Sequence, residues 1–223
     1  MIWVGRLISV AVVLQTIEFF WVRPFRAELL APEFPKILRW ILKMDRAVLT
    51  IRLLAAIAAL LFPSAALAAI LLLTTWMVAI RWRGTFNGGS DFMTFHILAA
   101  WSVSLCVPSL EKACLYYIAI QLILSYFVAG IAKILNPSWR NGEALKTFLT
   151  RSGFHLAAGI CVLLSWVILL FEILYPLSIV TPWPFVVLGG LFHLVNSYVF
   201  GLNRFFFAWL AGYPALLILA LHG

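Results

Sequence analysis

The sequence predicts an all-α integral membrane protein, a polytopic bundle of about eight transmembrane helices plus one interfacial amphipathic helix. Three observations lead there. Hydrophobic residues make up 65% of the 223 and charged residues only 11%, whereas a soluble domain carries roughly 25% charged residues and could not cover so much apolar surface. The apolar residues come in repeated continuous runs of about 20, the length that crosses a bilayer. Because these runs do not alternate with polar positions, they select helices over the strands of a barrel. Finally, the basic residues gather between the runs, as they do where charge sets topology.

Taken in order, the predicted spans are 2–22, 47–62, 65–80, 92–107, 115–135, 156–174, 185–200 and 205–221. The second and third are short and meet at Pro63-Ser64, which reads as a tight helical hairpin; a single bent segment is the alternative. No repeat or linker interrupts the chain, so residues 1–223 read as one transmembrane domain. The run 2–22 lacks a basic start and ends in Phe19, Phe20 and Trp21, which argues against a cleavable leader.

With eight spans, one face collects Arg23, Arg26, Lys36, Arg39, Lys43, Arg46, Arg81, Arg83, Arg140, Lys146, Arg151 and Arg204, with Lys133 and Arg52 in helix ends on that side. Only Arg6 and Lys112 fall on the other. The asymmetry places both termini outside a bacterial cytoplasmic (inner) membrane. It also accounts for the net charge of +8 without nucleic acid. Between Arg23 and Arg46 the segment is amphipathic, with Leu29, Leu30, Phe34, Ile37, Leu38, Trp40, Ile41 and Leu42 set among Arg, Lys and Glu, and Pro32 and Pro35 place a helix start near Pro35. Such a helix lies in the interface, against anionic lipid or as a docking surface for a partner subunit. Cys106, Cys114 and Cys161 have no metal-ligand spacing, although Cys106 and Cys114 flank one short loop and could be bridged there.

Polar residues at membrane depth each cost a few kcal/mol unless paired or solvated, so they need a reason. In the segment 84–91 (GTFNGGSD), Ser90 or Asp91 reads as the cap of the fourth span, Asp91 also facing the helix dipole. The pair Gly88-Gly89 reads as a close backbone approach or a tight turn, with Asn87 beside it. Lys133 ends an apolar helix, where a lysine either snorkels to headgroups or, desolvated, serves as a base. Trp139 and Arg140 follow it. Glu172 lies deep in the sixth span and must be protonated or paired. His193, Asn196 and Ser197 fall at i, i+3 and i+4 of the seventh, one polar face that either binds helices together or lines a site. Haem ligation would need axial histidines on facing helices, and His96, His155 and His193 are scattered.

The segments YFVAGIAKILNPSWRNGEAL (126–145) and FHLVNSYVFGLNRFFFAWLA (192–211), with NGGSDFMTFH (87–96) upstream, resemble the membrane domain of vitamin K-dependent gamma-carboxylases and their bacterial relatives, the horizontally transferred transmembrane (HTTM) family. The likeness covers about residues 81–211. It implies a quinone or hydroquinone held near the lysine-bearing helix end, with Lys133 as the catalytic base. His193 and Asn196 match the polar pair of its later helix, and Ser197, Asn87, Asp91, Glu172 and Trp139 are the further candidates for a ligand site. Two departures bear on the activity: Gly89 stands nearest to where the carboxylases carry a histidine, and the chain ends soon after its last span. The expectation is therefore a minimal member, a quinone-linked oxidoreductase or peptide-maturation enzyme working beside a peptide substrate or another membrane protein. The alternative is a non-catalytic accessory subunit packed against a larger membrane complex, which its small size and ten tryptophans also suit.

Overall fold

The computed structural model describes residues 1–22, 45–81 and 88–222, and each predicted apolar run is a helix in it. In chain order these are α1 (Ile2–Val22), α2 (Asp45–Leu61), α3 (Ala65–Arg81), α4 (Gly88–Cys106) and α5 (Glu111–Leu135). The short α6 (Pro137–Arg140) and α7 (Glu143–Arg151) follow, then α8 (Ala158–Leu174), α9 (Pro182–Phe200) and α10 (Asn203–His222). There is no strand among the described residues. Five helical stretches among them are long and apolar enough to cross a membrane: Ile2–Trp21, Pro108–Leu135, Ala158–Ile179, Pro182–Phe200 and Asn203–His222. The chain is thus all-helical and of membrane-protein character. The predicted interfacial helix falls almost wholly on residues 23–44, and Asn87 on 82–87; both lie outside the described residues.

Local chemistry sets the ends. Pro176 has no N–H to continue α8, so the chain tightens into a 3-10 turn over Tyr175–Ile179. Pro182 occupies the first turn of α9, where a missing N–H costs nothing, and Gly201 ends that helix in the left-handed conformation. Between α2 and α3 the chain folds back at Pro63-Ser64, with the Ser64 hydroxyl accepting the Leu67 N–H at 3.3 Å. This is the hairpin, and the bent single segment is set aside. The fourth helix starts at Gly88, earlier than predicted, so Ser90 and Asp91 lie inside its first turn and neither is its cap. Gly88-Gly89 is accordingly helix and not a turn. Asp91 keeps its favourable place against the dipole. Cys106 and Cys114 are both free thiols.

The chain divides into two compact units, Met1–Cys114 and Leu115–Gly223. In the first, α1 packs on α2 and α4, α2 on α3, and α3 on α4, which closes a ring of four helices. Ala11, Ala56, Ala59 and Ala68 are fully buried in it, and small side chains allow backbones to approach where no hydrophobic drive exists between helices in lipid.

At the centre of this ring lies Arg52, 1% exposed. The sequence places it at a helix end; it sits instead in mid-helix and turns inward. Its guanidinium donates to Thr16 Oγ1 at 2.8 Å, to Gln15 Oε1 at 2.9 Å and to Thr75 Oγ1 at 3.3 Å. Gln15 passes the chain on to Thr94 Oγ1 at 2.9 Å. One side chain of α2 is thereby tied to α1 and α3, and through Gln15 to α4. Neutral acceptors prepared on two neighbouring helices overcome the tendency to snorkel.

Lysine in place of Arg52 keeps the charge but loses the planar fork that reaches three acceptors. Arg52→Lys is expected to cost about 1–3 kcal/mol, the penalty of a buried polar group left unmatched, read as a lower melting temperature of the purified protein. An unchanged melting temperature would show that the network adds nothing to the first unit.

Candidate functional site

The second unit assembles its polar groups from pairs of residues one helical turn apart. On α5, Tyr126, Gly130 and Lys133 follow at i, i+4 and i+7 and so share a face. On α9, Gly189 and His193 are four apart, as are Phe205, Trp209 and Tyr213 on α10. On α8 Glu172 is followed by Tyr175 and Ser178, the last two inside the 3-10 turn, where i and i+3 eclipse.

Lys133 does not snorkel. Its ammonium lies 2.5 Å from each carboxylate oxygen of Glu172, so the buried acid has the partner its position demands. Glu172 is 3% exposed and Lys133 21%. The ring of Trp139, on the first turn of α6, covers the ammonium with its centroid 5.3 Å away, a cation–π distance. Two features bring these three together. Gly130, one turn before Lys133, carries no side chain where α5 meets α8: a Cβ there would stand 2.8 Å from Ile173 Cγ1 and 2.9 Å from its backbone nitrogen. Trp139 is fixed through its carbonyl, which accepts the Ser165 hydroxyl of α8 at 2.5 Å.

Deeper along the same face of α5, Tyr126 is the hub of an aromatic and hydroxyl cluster. Its hydroxyl lies 2.7 Å from His193 Nε2 and 2.9 Å from the Tyr213 hydroxyl. Its ring stacks on Tyr175 at 3.8 Å and meets Phe171 and Trp209 edge-on. His193 packs against the stacked pair Phe205 and Trp209, its ring 6.0 Å from the first and nearly parallel to it, and 4.9 Å from the second. Gly189 makes this convergence sterically feasible, since a Cβ there would come within 2.5 Å of the Tyr213 oxygen and 3.0 Å of that of Tyr126.

Of the residues the sequence singled out, Lys133, Glu172 and Trp139 are brought into contact, and His193 joins the neighbouring tyrosine cluster. Asn196 and Ser197 are only half-buried and serve the end of α9: the Asn196 carbonyl accepts from Gly201 and Leu202, and the Ser197 hydroxyl donates to Asn203 Oδ1. The face shared by His193, Asn196 and Ser197 on the helix is therefore split between two tasks. Asp91 belongs to the first unit. Sequence reasoning passed over Tyr126, Tyr175, Tyr213 and Gly189. A signal was available: tyrosines in spans normally mark the interface, and one placed in mid-span needs a hydrogen-bond partner for its hydroxyl.

Comparison of the chain with protein-family models, with curated proteins and with solved structures gave no match.

Two glycine substitutions should have opposite outcomes. In an open helix position Gly→Ala gains up to about 1 kcal/mol, and Gly190, where an added Cβ would meet nothing within 4 Å, should follow that rule. At Gly130 the obstacle is backbone, which no rotamer change relieves, and overpacking costs about 1–3 kcal/mol. Gly190→Ala is expected to raise or hold the melting temperature and Gly130→Ala to lower it. Equal responses would contradict the tight crossing of α5 on α8.

Proposed function

We propose that this chain is a multi-pass protein of a bacterial cytoplasmic membrane, crossing it eight times with both termini outside, and a minimal relative of the carboxylase-like HTTM group. In this reading Lys133 acts as a base toward a lipophilic, quinone-like ligand, and the chain works as a quinone-linked oxidoreductase or in peptide maturation beside a partner. The observation that carries it is the Lys133–Glu172 pair, in which a sealed carboxylate holds a lysine that is still one-fifth exposed.

A base must first give up its own proton. Glu172 supplies the place for it: transfer from ammonium to carboxylate leaves a neutral amine beside a neutral acid. Dry surroundings favour that exchange relative to water, because burial penalises the two charges far more than the two neutral groups. A hydroquinone would bring an ionisable hydroxyl to this amine. Lys133 then takes up the proton, the anion left on the ligand faces the new ammonium, which Trp139 covers, and Glu172 keeps the stored proton until it is released and the ion pair re-forms. Trp139 and Phe171 offer flat apolar faces of the kind that hold a conjugated ring. Glu172 in this scheme is a positioning residue and proton store, not a group that meets the ligand.

A second reading has its own support. His193, Tyr126 and Tyr213 satisfy one another inside the unit, which is what polar groups do when they fasten helices together. An accessory subunit requires nothing more.

Lys133→Arg separates the two. Arginine keeps the charge and pairs with a carboxylate at least as well, yet it cannot be deprotonated and so cannot be a base. The enzyme reading expects a stable protein whose turnover of a reduced quinone, followed by absorbance, falls by roughly 10²–10⁴. Full function in the variant would end the catalytic reading and leave the accessory subunit. Topology has a separate test. A cysteine introduced at Asn141, in a Cys106→Ser background, is expected to resist a membrane-impermeant maleimide applied to intact cells; external labelling would reverse the orientation.

A further inference from the structure

Around Tyr126 stand three side chains whose polar atoms are enclosed without a hydrogen-bond partner, and each comes from a different position in the wall. Tyr175 and Ser178, both 0% exposed, occupy eclipsed positions of the 3-10 turn; the Ser178 hydroxyl has no partner, and that of Tyr175 faces the hydroxyls of Tyr126 and Tyr213 without a well-formed hydrogen bond to either. Trp209 of α10, 5% exposed, has an unbonded indole N–H. His193 adds its Nδ1, enclosed on the far side of the ring from the Tyr126 bond. They are neighbours: the 3-10 turn packs on both α9 and α10, the Tyr175 ring stacks on Tyr126 at 3.8 Å, and the rings of His193 and Trp209 lie 4.9 Å apart.

One such group is a tolerable defect, costing about as much as a lost hydrogen bond. Four in one cluster are a pattern. Their chemistry is biased. Two hydroxyls and an indole N–H can donate, and when Tyr126 donates to Nε2 the His193 Nδ1 carries the hydrogen and becomes a fourth donor. None of them is charged, and Lys133 and Glu172 cancel in their own pair. The cluster is therefore suited to an uncharged oxygen acceptor among aromatic walls, with no provision for an anion or a cation.

We infer that the 3-10 turn, α9 and α10 form a second binding site, distinct from the Lys133–Glu172 pair, for a neutral hydrogen-bond acceptor: the carbonyl oxygen of a small aromatic molecule, or an internal water. The inference does not depend on Lys133 being a base, and its test leaves Lys133 and Glu172 intact.

The test uses the full chain purified in detergent, its thermal unfolding followed by tryptophan fluorescence, and two nearly isosteric changes, Tyr175→Phe and Ser178→Ala. If both hydroxyls hold one occupant, each variant melts below the wild type and the double variant melts no lower than the worse single one, because the second deletion removes a bond already lost. If the cluster is merely unsatisfied, deleting a stranded hydroxyl removes a penalty and each variant melts higher or unchanged. That result overturns the site, and so do two fully additive losses. Acetophenone and its hydrocarbon counterpart ethylbenzene then identify the source. Protection of the wild type by acetophenone alone, abolished in the double variant, assigns an aromatic carbonyl. Lower melting of the variants with no effect of either probe assigns an internal water. Equal protection by both probes, retained in the double variant, shows apolar binding that ignores the donors and overturns the inference.

Discussion

Glu172 can be carried inside an apolar helix only because Lys133 reaches it, and much of the second unit is arranged around that one contact. The pair requires α5 and α8 to cross closely, and Gly130 permits the crossing one turn away. It requires the lysine to turn inward, and Trp139, tied down through Ser165, closes over it. It also fixes the register of what lies beyond. Tyr126 is two turns from Lys133 on α5, and Tyr175 is three residues from Glu172, so setting the ion pair aligns the two rings that stack. Removing either charge would strand the other in an apolar setting, which is a far larger cost than losing a surface pair.

The first unit meets the same constraint by a different chemistry. Arg52 is enclosed by hydroxyls and an amide of Thr16, Thr75 and Gln15, spread over helices that meet in a ring. A guanidinium suits this task because its donors fan out in a plane and reach several helices, whereas an ammonium is a point charge. The division of labour fits the residue types: arginine where many neutral acceptors must be joined, lysine where one carboxylate must be met and a proton can be exchanged.

The helices were legible because their information is local. Runs of apolar residues, Pro63-Ser64, Pro182 and Gly201 each dictate structure within a few residues, and α1 and α3 coincide with the predicted spans almost to the residue. Candidate residues were legible where the residue type itself was anomalous: a carboxylate in mid-span, a lysine and a histidine near it. That Glu172 and Lys133 satisfy each other, 39 positions apart, is a fact of packing and was not written in either segment. The same holds for Arg52, whose place near a predicted span end gave no sign of the three acceptors that other helices bring to it. The tyrosines were missed for a related reason, since a hydroxyl on an aromatic ring looks apolar in a hydropathy profile yet needs a partner once enclosed. Asn196 and Ser197 share the face of His193 by helical spacing, and near the helix end at Gly201 the Asn196 backbone carbonyl and the Ser197 hydroxyl also take part in closing the turn.

Comparing the two polar networks gives a reason to look for function in the second unit. A network that only fastens helices gains nothing from access and does best when every donor has its acceptor, and around Arg52 the guanidinium is sealed and multiply bonded. The second unit departs from that ideal twice. Its ion pair is sealed at the carboxylate and open at the amine, and its tyrosine cluster encloses donors that it does not match. The enclosed donors cost stability and the open amine is not required for packing, and neither is needed to hold α5, α8, α9 and α10 together, since the His193–Tyr126–Tyr213 chain and the stacked rings already do so. Interactions left incomplete within the chain are the ones available to complete with something else.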